Sequence, residues 1–147
     1  MQKFVSVLLL FVFVVIVSGC GDGKLKTYPV SGTVTYKGAP LADATIGFSP
    51  KVAGTGDGGY ARTDDKGFYQ LQTAQGRVNA GTTPGEYYVT ISKVDAVGTG
   101  VFKTDDTGFR SEVTKAVSAI PEKYGSAAGE LSATVVKGKN VFDFDLE

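Results

Sequence analysis

Few residues in this chain of 147 can do covalent or acid-base chemistry. It contains one cysteine, Cys20, and no histidine. Without histidine it can build neither a histidine-ligated zinc site nor a Ser-His-Asp or Cys-His nucleophile. A single thiol also cannot form a disulfide within the chain. A lysine-activated serine or a carboxylate pair stays open, but no spacing singles out either one. We therefore predict no enzyme activity, no catalytic residue and no cofactor.

An apolar segment leads up to this cysteine. Residues 4–17 are apolar except for Ser6, and Lys3 precedes them. A helix of this length rises about 21 Å, less than the roughly 30 Å of a membrane's hydrocarbon core. A basic start, an apolar stretch and small residues before Cys20 are typical of a secretory signal. We predict a signal peptide over 1–19 and a tether over 20–27, with an uncleaved membrane anchor as the alternative.

The last four residues of this region, 17–20, read Val-Ser-Gly-Cys. They resemble the bacterial lipobox, although Val17 stands where leucine is usual. The resemblance implies a diacylglycerol thioether on Cys20 and often a third, amide-linked chain, and two or more chains anchor a protein stably. It implies an exported protein that is lipid-anchored to a bacterial membrane, with its domain in the periplasm or at the cell surface. Gly21 stands where a sorting rule places aspartate in inner-membrane lipoproteins, which favours the outer membrane.

Beyond the tether, short segments alternate between apolar and polar residues. The alternation of Tyr28, Val30, Val34 and Tyr36 with polar neighbours is typical of a half-buried strand. Similar segments recur near 44–48, 60–63, 68–73, 86–94, 131–135 and 142–146, separated by turn residues. The pattern predicts an all-β fold: a single antiparallel β-sandwich of about seven strands over residues 28–147.

Residues 95–119 do not follow that alternation. We predict an irregular insert there, which in a compact domain is often functional or disordered. The insert contains TDDTGF at 104–109, which echoes TDDKGF at 63–68. Residues 64–67 are predicted to connect a hairpin, with Gly67 at a position that needs a positive φ. The echo favours a second hairpin with the same kind of turn inside the insert. It is too short to indicate a duplicated domain.

Three segments resemble carboxypeptidase regulatory-like domains, which are transthyretin-like β-sandwiches of bacterial envelope proteins. The segments are 30–46 (VSGTVTYKGAPLADATI), 63–69 (TDDKGFY) and 84–91 (PGEYYVTI). Residues 120–124 and 137–146 resemble a small-lipoprotein branch of the same group. The resemblance implies a non-catalytic module that supports, spaces or binds. Gly32, inside a predicted strand, indicates a bulge or the close approach of another backbone.

Two sets of side chains are candidates for binding. Calcium prefers six to eight oxygen ligands, and loops rich in aspartate and glycine supply them, which makes Asp64, Asp65, Asp105 and Asp106 calcium candidates. The competing interpretation is ordinary turn chemistry. Tyr88 points away from the core-facing Tyr87 and is a candidate platform for sugar, although the residues favour packing in the core or on a second face.

Charge narrows the set of partners. The chain has 15 basic and 15 acidic side chains and no basic cluster, which argues against nucleic acid. We expect a membrane contact through the lipid on Cys20 and an envelope protein or polysaccharide as partner. The function that these features favour is a lipid-anchored, non-catalytic structural or protein-interaction module. The alternatives are a carbohydrate-binding module, which would use Tyr88 and residues 95–119, and an accessory subunit of an envelope enzyme.

Overall fold

The computed structural model describes residues 26–127 and 129–147, and these residues form an all-β fold. The predicted signal peptide and Cys20 lie outside the described residues. Within the described part, no helix has the length and apolar character needed to cross a membrane. The strands are β1 (Val30–Tyr36), β2 (Ala39–Pro40), β3 (Thr45–Pro50), β4 (Gly59–Arg62), β5 (Phe68–Gln70), β6 (Gln72–Thr73), β7 (Gly85–Ser92), β8 (Val94–Thr104), β9 (Arg110–Ser118), β10 (Ser132–Val135), β11 (Asn140–Val141) and β12 (Phe144–Leu146), with a 3-10 helix at Glu122–Gly125.

The first sheet is built on β1, which pairs with four other strands. It runs antiparallel to β2 and β5, and parallel to β11 and β12. The expectation of a wholly antiparallel fold is therefore wrong for this sheet. The reason is that the chain leaves β10, in the second sheet, and crosses to the first sheet. It enters there with Asn140 paired to Val30 and then runs in the same direction as β1.

The second sheet is antiparallel throughout, in the order β10-β7-β3-β4-β6. Ile46 on β3 lies opposite Ile91 on β7 and Ala61 on β4, and all three are buried. Because opposite residues share a face, the inward-facing residues of neighbouring strands line up across the sheet. The number of strands exceeds the expected seven because five of the twelve described strands have only two or three residues and β8 and β9 are additional.

Side chains from both five-stranded sheets fill one core. Phe48 of the second sheet lies 6.2 Å from Phe142 and 6.0 Å from Tyr87, measured between ring centroids. Burial of these apolar faces is the main favourable term in folding. The buried apolar residues of the core are Val30, Val34, Leu41, Ala44, Ile46, Phe48, Ala61, Tyr69, Leu71, Tyr87, Val89, Ile91, Ile120, Tyr124, Ala133, Val135 and Leu146.

A close backbone contact fixes the place where the C-terminal strands join β1. A Cβ on Gly32 would collide with the carbonyl of Phe142, which confirms the close approach expected at this glycine. Tyr69 donates its hydroxyl hydrogen bond to the same carbonyl at 2.8 Å. Burial, and after it the nearby Asp143 carboxylate, raises the pKa of Tyr69, so its hydroxyl stays a donor. Asp143 in turn accepts hydrogen bonds from the Thr33 amide and hydroxyl, each at 2.8 Å.

The turn at residues 64–67 has the predicted backbone conformation but connects different elements from those expected. Gly67 has a φ of 73°, which confirms the expected positive angle. However, β4 and β5 belong to different sheets, so this turn is a corner between sheets and not the connection of a paired hairpin. A Cβ on Gly67 would also strike the carbonyl of Val34. The turn therefore packs against β1 as well as reversing the chain.

We expect Gly32→Ala to destabilise the fold because the added methyl needs the space of the Phe142 carbonyl. Overpacking of this kind typically costs about 1–3 kcal/mol. Gly125→Ala is the matched control, since a Cβ there meets no atom within 4 Å. Urea unfolding monitored by circular dichroism measures both variants. Equal stability of the two would contradict the close packing at Gly32.

Candidate functional site

Residues 95–119 are ordered as a long antiparallel hairpin, so their description as irregular is wrong. Strands β8 and β9 pair with each other and with no other strand of the described chain. All their residues are exposed except Val113, which is half-buried. A two-stranded hairpin alone is marginally stable in water, and its outer edges carry unpaired backbone groups. These strands therefore make the largest uncovered element of the described structure.

One side of this hairpin carries four valines. Opposite residues in an antiparallel pair share a face, and so do residues two apart along a strand. The pairs Asp95–Val117, Val97–Lys115 and Lys103–Ser111 therefore lie on the same side. Val101 and Val113 fall on that side as well. We call Val97, Val101, Val113 and Val117 the valine face; Val101 is 56% exposed.

The opposite side of the hairpin carries contacts between its own side chains and backbone. The Arg110 guanidinium lies 4.6 Å from the ring centroid of Phe102, a cation–π contact. Glu112 accepts a hydrogen bond from the Gly100 amide at 2.7 Å, and its carboxylate occupies the space above Gly98. These contacts stabilise the register shift between Gly98 and Phe102. Phe102 and Val94 on this side are still 50% and 64% exposed, so both sides of the hairpin present apolar surface.

The hairpin tip is an aspartate-capped turn. Asp105 Oδ1 accepts hydrogen bonds from the amides of Thr107 and Phe109, both at 2.9 Å, and from the Thr107 hydroxyl at 2.6 Å. These bonds, the Thr107 hydroxyl first, lower the pKa of Asp105. Gly108 completes the turn with a φ of 83°. The sequence motif thus produces a closed turn at the tip.

The corner at 64–68 repeats the amide hydrogen bonds of this turn, whereas Lys66 has no hydroxyl to match that of Thr107. Asp64 Oδ1 accepts hydrogen bonds from the amides of Lys66 and Phe68, both at 2.9 Å. These amides lie two and four residues after the aspartate, as those of Thr107 and Phe109 do after Asp105. The echo between the two hexamers is therefore one turn used twice. The four calcium candidates are divided between these two turns, and the described residues contain no group of three metal-ligating side chains that could hold an ion. Calcium binding by Asp64, Asp65, Asp105 or Asp106 stays a prediction.

The outer face of the second sheet carries two exposed tyrosines. Tyr87 is buried and Tyr88 is 37% exposed, which confirms their opposite orientations. Tyr60 on β4, 46% exposed, lies on the same outer face, because it and Thr90 both pair with Gly47. We call Tyr60 and Tyr88 the tyrosine face. Their Cα atoms lie roughly 12 Å apart, by strand spacing.

Sequence reasoning missed Tyr60, and a single strand contains no signal that would have found it. The surface between the two rings is shallow, because Gly47 has no side chain and Thr90 and Ser49 are small. Lys51 Nζ lies over the ring of Tyr88, 5.5 Å from its centroid. A flat surface of rings and hydroxyls can stack on and hydrogen-bond to a polar, ring-shaped ligand.

The hairpin joins the domain at a short closed neck. Ala119 donates its amide hydrogen bond to the carbonyl of Lys93 at 2.9 Å, and the Ser118 hydroxyl donates to the carbonyl of Ile120 at 2.7 Å. A surface cavity of about 300 Å³ lies beside this neck. Its lining combines the apolar side chains of Ile91 and Ile120 with serine hydroxyls and the Glu122 carboxylate.

No family model matches the chain, and no curated protein matches it. Among solved structures, the chain is similar to a 9R-lipoxygenase from Cyanothece PCC8801. The sequence identity is 14%, the TM-score is 0.39, and the superposition covers 83% of this chain but 16% of the lipoxygenase. A superposition this loose assigns neither a fold family nor an activity.

We expect the hairpin tip to loosen in acid. A lowered pKa in the folded turn means that Asp105 stabilises it above the ordinary value of 3.8, and that this contribution is lost as the pH falls through the lowered value. The amide shifts of Thr107 and Phe109, followed by NMR down to pH about 2, should change with a midpoint below 3.8. In Asp105→Asn the side-chain amide oxygen still accepts the hydrogen bonds but does not titrate, so the pH-dependent change in the two amide shifts should vanish. A midpoint above 3.8 would contradict the capping role.

Proposed function

We propose that this chain is a lipid-anchored, non-catalytic envelope module that uses the hairpin of β8 and β9 to bind another protein. The observation that carries the proposal is the exposure of both faces of this hairpin. An exposed apolar face next to unpaired strand edges is typical of a binding surface. The hairpin also contributes no residue to the buried core. Its apolar side chains are available to a partner.

The anchor is the second part of the proposal. The lipobox-like segment ending at Cys20 supports lipidation at that thiol, export of the domain, and attachment to a bacterial membrane, the outer one favoured by Gly21. The tether 20–27 then leads to β1, which begins at Val30. Two acyl chains hold a protein at a membrane without a spanning helix.

The fold supports the same kind of role. We propose that the two five-stranded sheets around one core are a transthyretin-like sandwich of the carboxypeptidase regulatory-like group, as the resemblance of three sequence segments implies. Such a sandwich is a rigid support. We propose that it holds the hairpin at a fixed angle, and that the partner determines the biological role.

Lipidation is tested on the mature protein. We expect mass spectrometry of its N-terminal peptide to begin at Cys20 and to carry the mass of the acyl chains. Cys20→Ser should abolish lipid labelling and release the protein from the membrane fraction. Retention of Met1 on the mature protein would overturn the anchor.

The binding role of the hairpin is tested in cells with a photo-crosslinking amino acid. Placed at Val101, on the valine face, it should yield discrete protein adducts. Placed at Val52, a loop residue 62% exposed and outside the hairpin, it should yield none. An envelope enzyme among the adducts would assign the chain as its accessory subunit. Absence of adducts at Val101, or the same adducts at both sites, would contradict the proposal.

The tyrosine face favours a second candidate function, binding of cell-surface polysaccharide. Tyr60 and Tyr88 lie on one outer face with small hydroxylated residues between them, a spacing that two rings of one sugar chain can bridge. The sugar hydroxyls would meet Thr90 and Ser49, while the ring faces stack on the tyrosines.

Affinity electrophoresis through gels containing envelope polysaccharide tests this second function. Tyr60→Ala and Tyr88→Ala should each weaken retardation about tenfold, because each removes one stacking contact. Phe68→Ala is the matched control, an aromatic residue 39% exposed on the first sheet. If the unsubstituted protein migrates freely, the chain does not bind that polymer.

A further inference from the structure

The valine face has oppositely charged residues at its two ends. Asp95 lies at the end nearest the domain, beside Val117, and Lys103 lies near the tip, beside Ser111. Between these ends are the valines and the long aliphatic stem of Lys115. A surface with acid at one end and base at the other is complementary to itself when one copy is reversed end to end.

We propose that the valine face binds a second copy of this chain, with the two hairpins stacked face to face and antiparallel. This inference rests on the proposed function of the hairpin as an interaction element and names its partner. The two-fold axis lies between the stacked faces and runs perpendicular to the strands. It passes between the Val97–Lys115 pair and Val113. Both copies then contribute the same surface, as a closed dimer requires.

The register of the hairpin determines which residues meet in this dimer. With the axis across the strands, β8 lies over β8 of the second copy in the reverse direction. Asp95 faces Lys103 of the second copy, Val97 faces Val101, and the stem of Lys115 covers Val113 while its ammonium group reaches solvent. Each dimer therefore gains two opposite-charge pairs, one at each end of a shared apolar strip.

The other way to stack the same faces lacks these pairs. With the axis along the strands, β8 lies over β9 of the second copy, and the two hairpins point the same way. Asp95 then faces Val117, Lys103 faces Ser111, and both domains occupy the same end of the stack. Apolar contact is similar in the two arrangements, so charge and space select the antiparallel one.

The opposite side of the hairpin is a poorer surface for a second copy. Arg110 already covers the ring of Phe102, and Glu112 is held over Gly98 and by the Gly100 amide. Binding there would displace these contacts. Binding on the valine face would displace none of these contacts, and Val97, Val101 and Val117 are exposed to water there.

The size of the face indicates a weak dimer. From Asp95 to Lys103 a strand spans about 27 Å, and two strands are about 10 Å wide, which is below the area of a standard stable interface. Attachment of both copies to one membrane raises their effective concentration, so that weak contacts suffice. The dimer therefore belongs to the membrane-bound, full-length protein, and it is there that it should be measured.

Disulfide trapping in membranes tests the register directly. Full-length Asp95→Cys and Lys103→Cys chains, co-expressed, should form a disulfide-linked dimer on mild oxidation, whereas either chain alone should not. The matched control is Ala96→Cys with Thr104→Cys, one residue further along β8 and on the opposite side of the hairpin. The unsubstituted chain, whose single thiol is Cys20, is the blank. Trapping of the control pair as well as the test pair, or of neither, overturns the proposal.

Charge reversal gives a second measurement on the same interface. With Val97→Cys and Val101→Cys as the trapping pair, Asp95→Lys should lower the dimer yield roughly fivefold, because two ion pairs become two repulsions. Adding Lys103→Asp to that chain should restore the yield. An unchanged yield in Asp95→Lys, or no recovery in the double reversal, overturns the antiparallel arrangement.

Failure of this inference is distinguishable from failure of the proposed function. Photo-adducts at Val101 with a different protein, together with no trapping between positions 95 and 103, overturn self-association and leave the hairpin as a binding element. Absence of both adducts and trapping overturns both. Trapping with an adduct of twice the chain's mass supports both.

Discussion

The contact between Gly32 and the carbonyl of Phe142 is the constraint on which the rest of the fold depends. It brings the C-terminal strands alongside β1, where the hydroxyl of Tyr69 and the Thr33–Asp143 hydrogen bonds hold them. Because β10 belongs to the second sheet and β11 to the first, this crossing also joins the two sheets around their common core. A side chain at position 32 would separate those strands, and only glycine leaves the room.

The core closed in this way contains no residue of the hairpin. The buried apolar residues stop at Ile91 before the hairpin and resume at Ile120 after it, and the neck between Lys93 and Ala119 is closed by its own hydrogen bond. Core and hairpin therefore have different roles. The core supplies stability and fixed geometry, while the hairpin presents the valine face and two strand edges to whatever lies beside the domain.

Much of the core could be predicted from the sequence, because strands with one buried face alternate with period two. Tyr87 and Tyr88 follow that rule, and the glycines at 32 and 67 mark the close approach and the positive φ. The hairpin could not be predicted in this way. Alternation arises from burial of one face, and β8 and β9 bury neither face, so their sequence shows no period. The repeated turn motif was the one signal that indicated it.

Pairing between distant strands was the other feature beyond the reach of sequence reasoning. The parallel pairing of β11 and β12 with β1 depends on the crossing between sheets, and the neighbourhood of Tyr60 and Tyr88 depends on the register of β3 between β4 and β7. Neither follows from the pattern within one strand. The chemistry of single turns was therefore predictable, and the candidate binding surfaces, which combine several strands, were not.

The central claim is that the hairpin is dispensable for folding and required for association. Excising residues 94–118 and joining Lys93 to Ala119 through Asn-Gly tests it, since that dipeptide closes two adjacent strands tightly. The measurement is the size of the detergent-solubilised complex on native gels, made on a variant that melts in one cooperative transition. We predict that the excised protein folds but migrates as a free chain, smaller than the full-length complex by a whole partner. A folded variant that keeps the partner, or one that no longer folds, would contradict the claim.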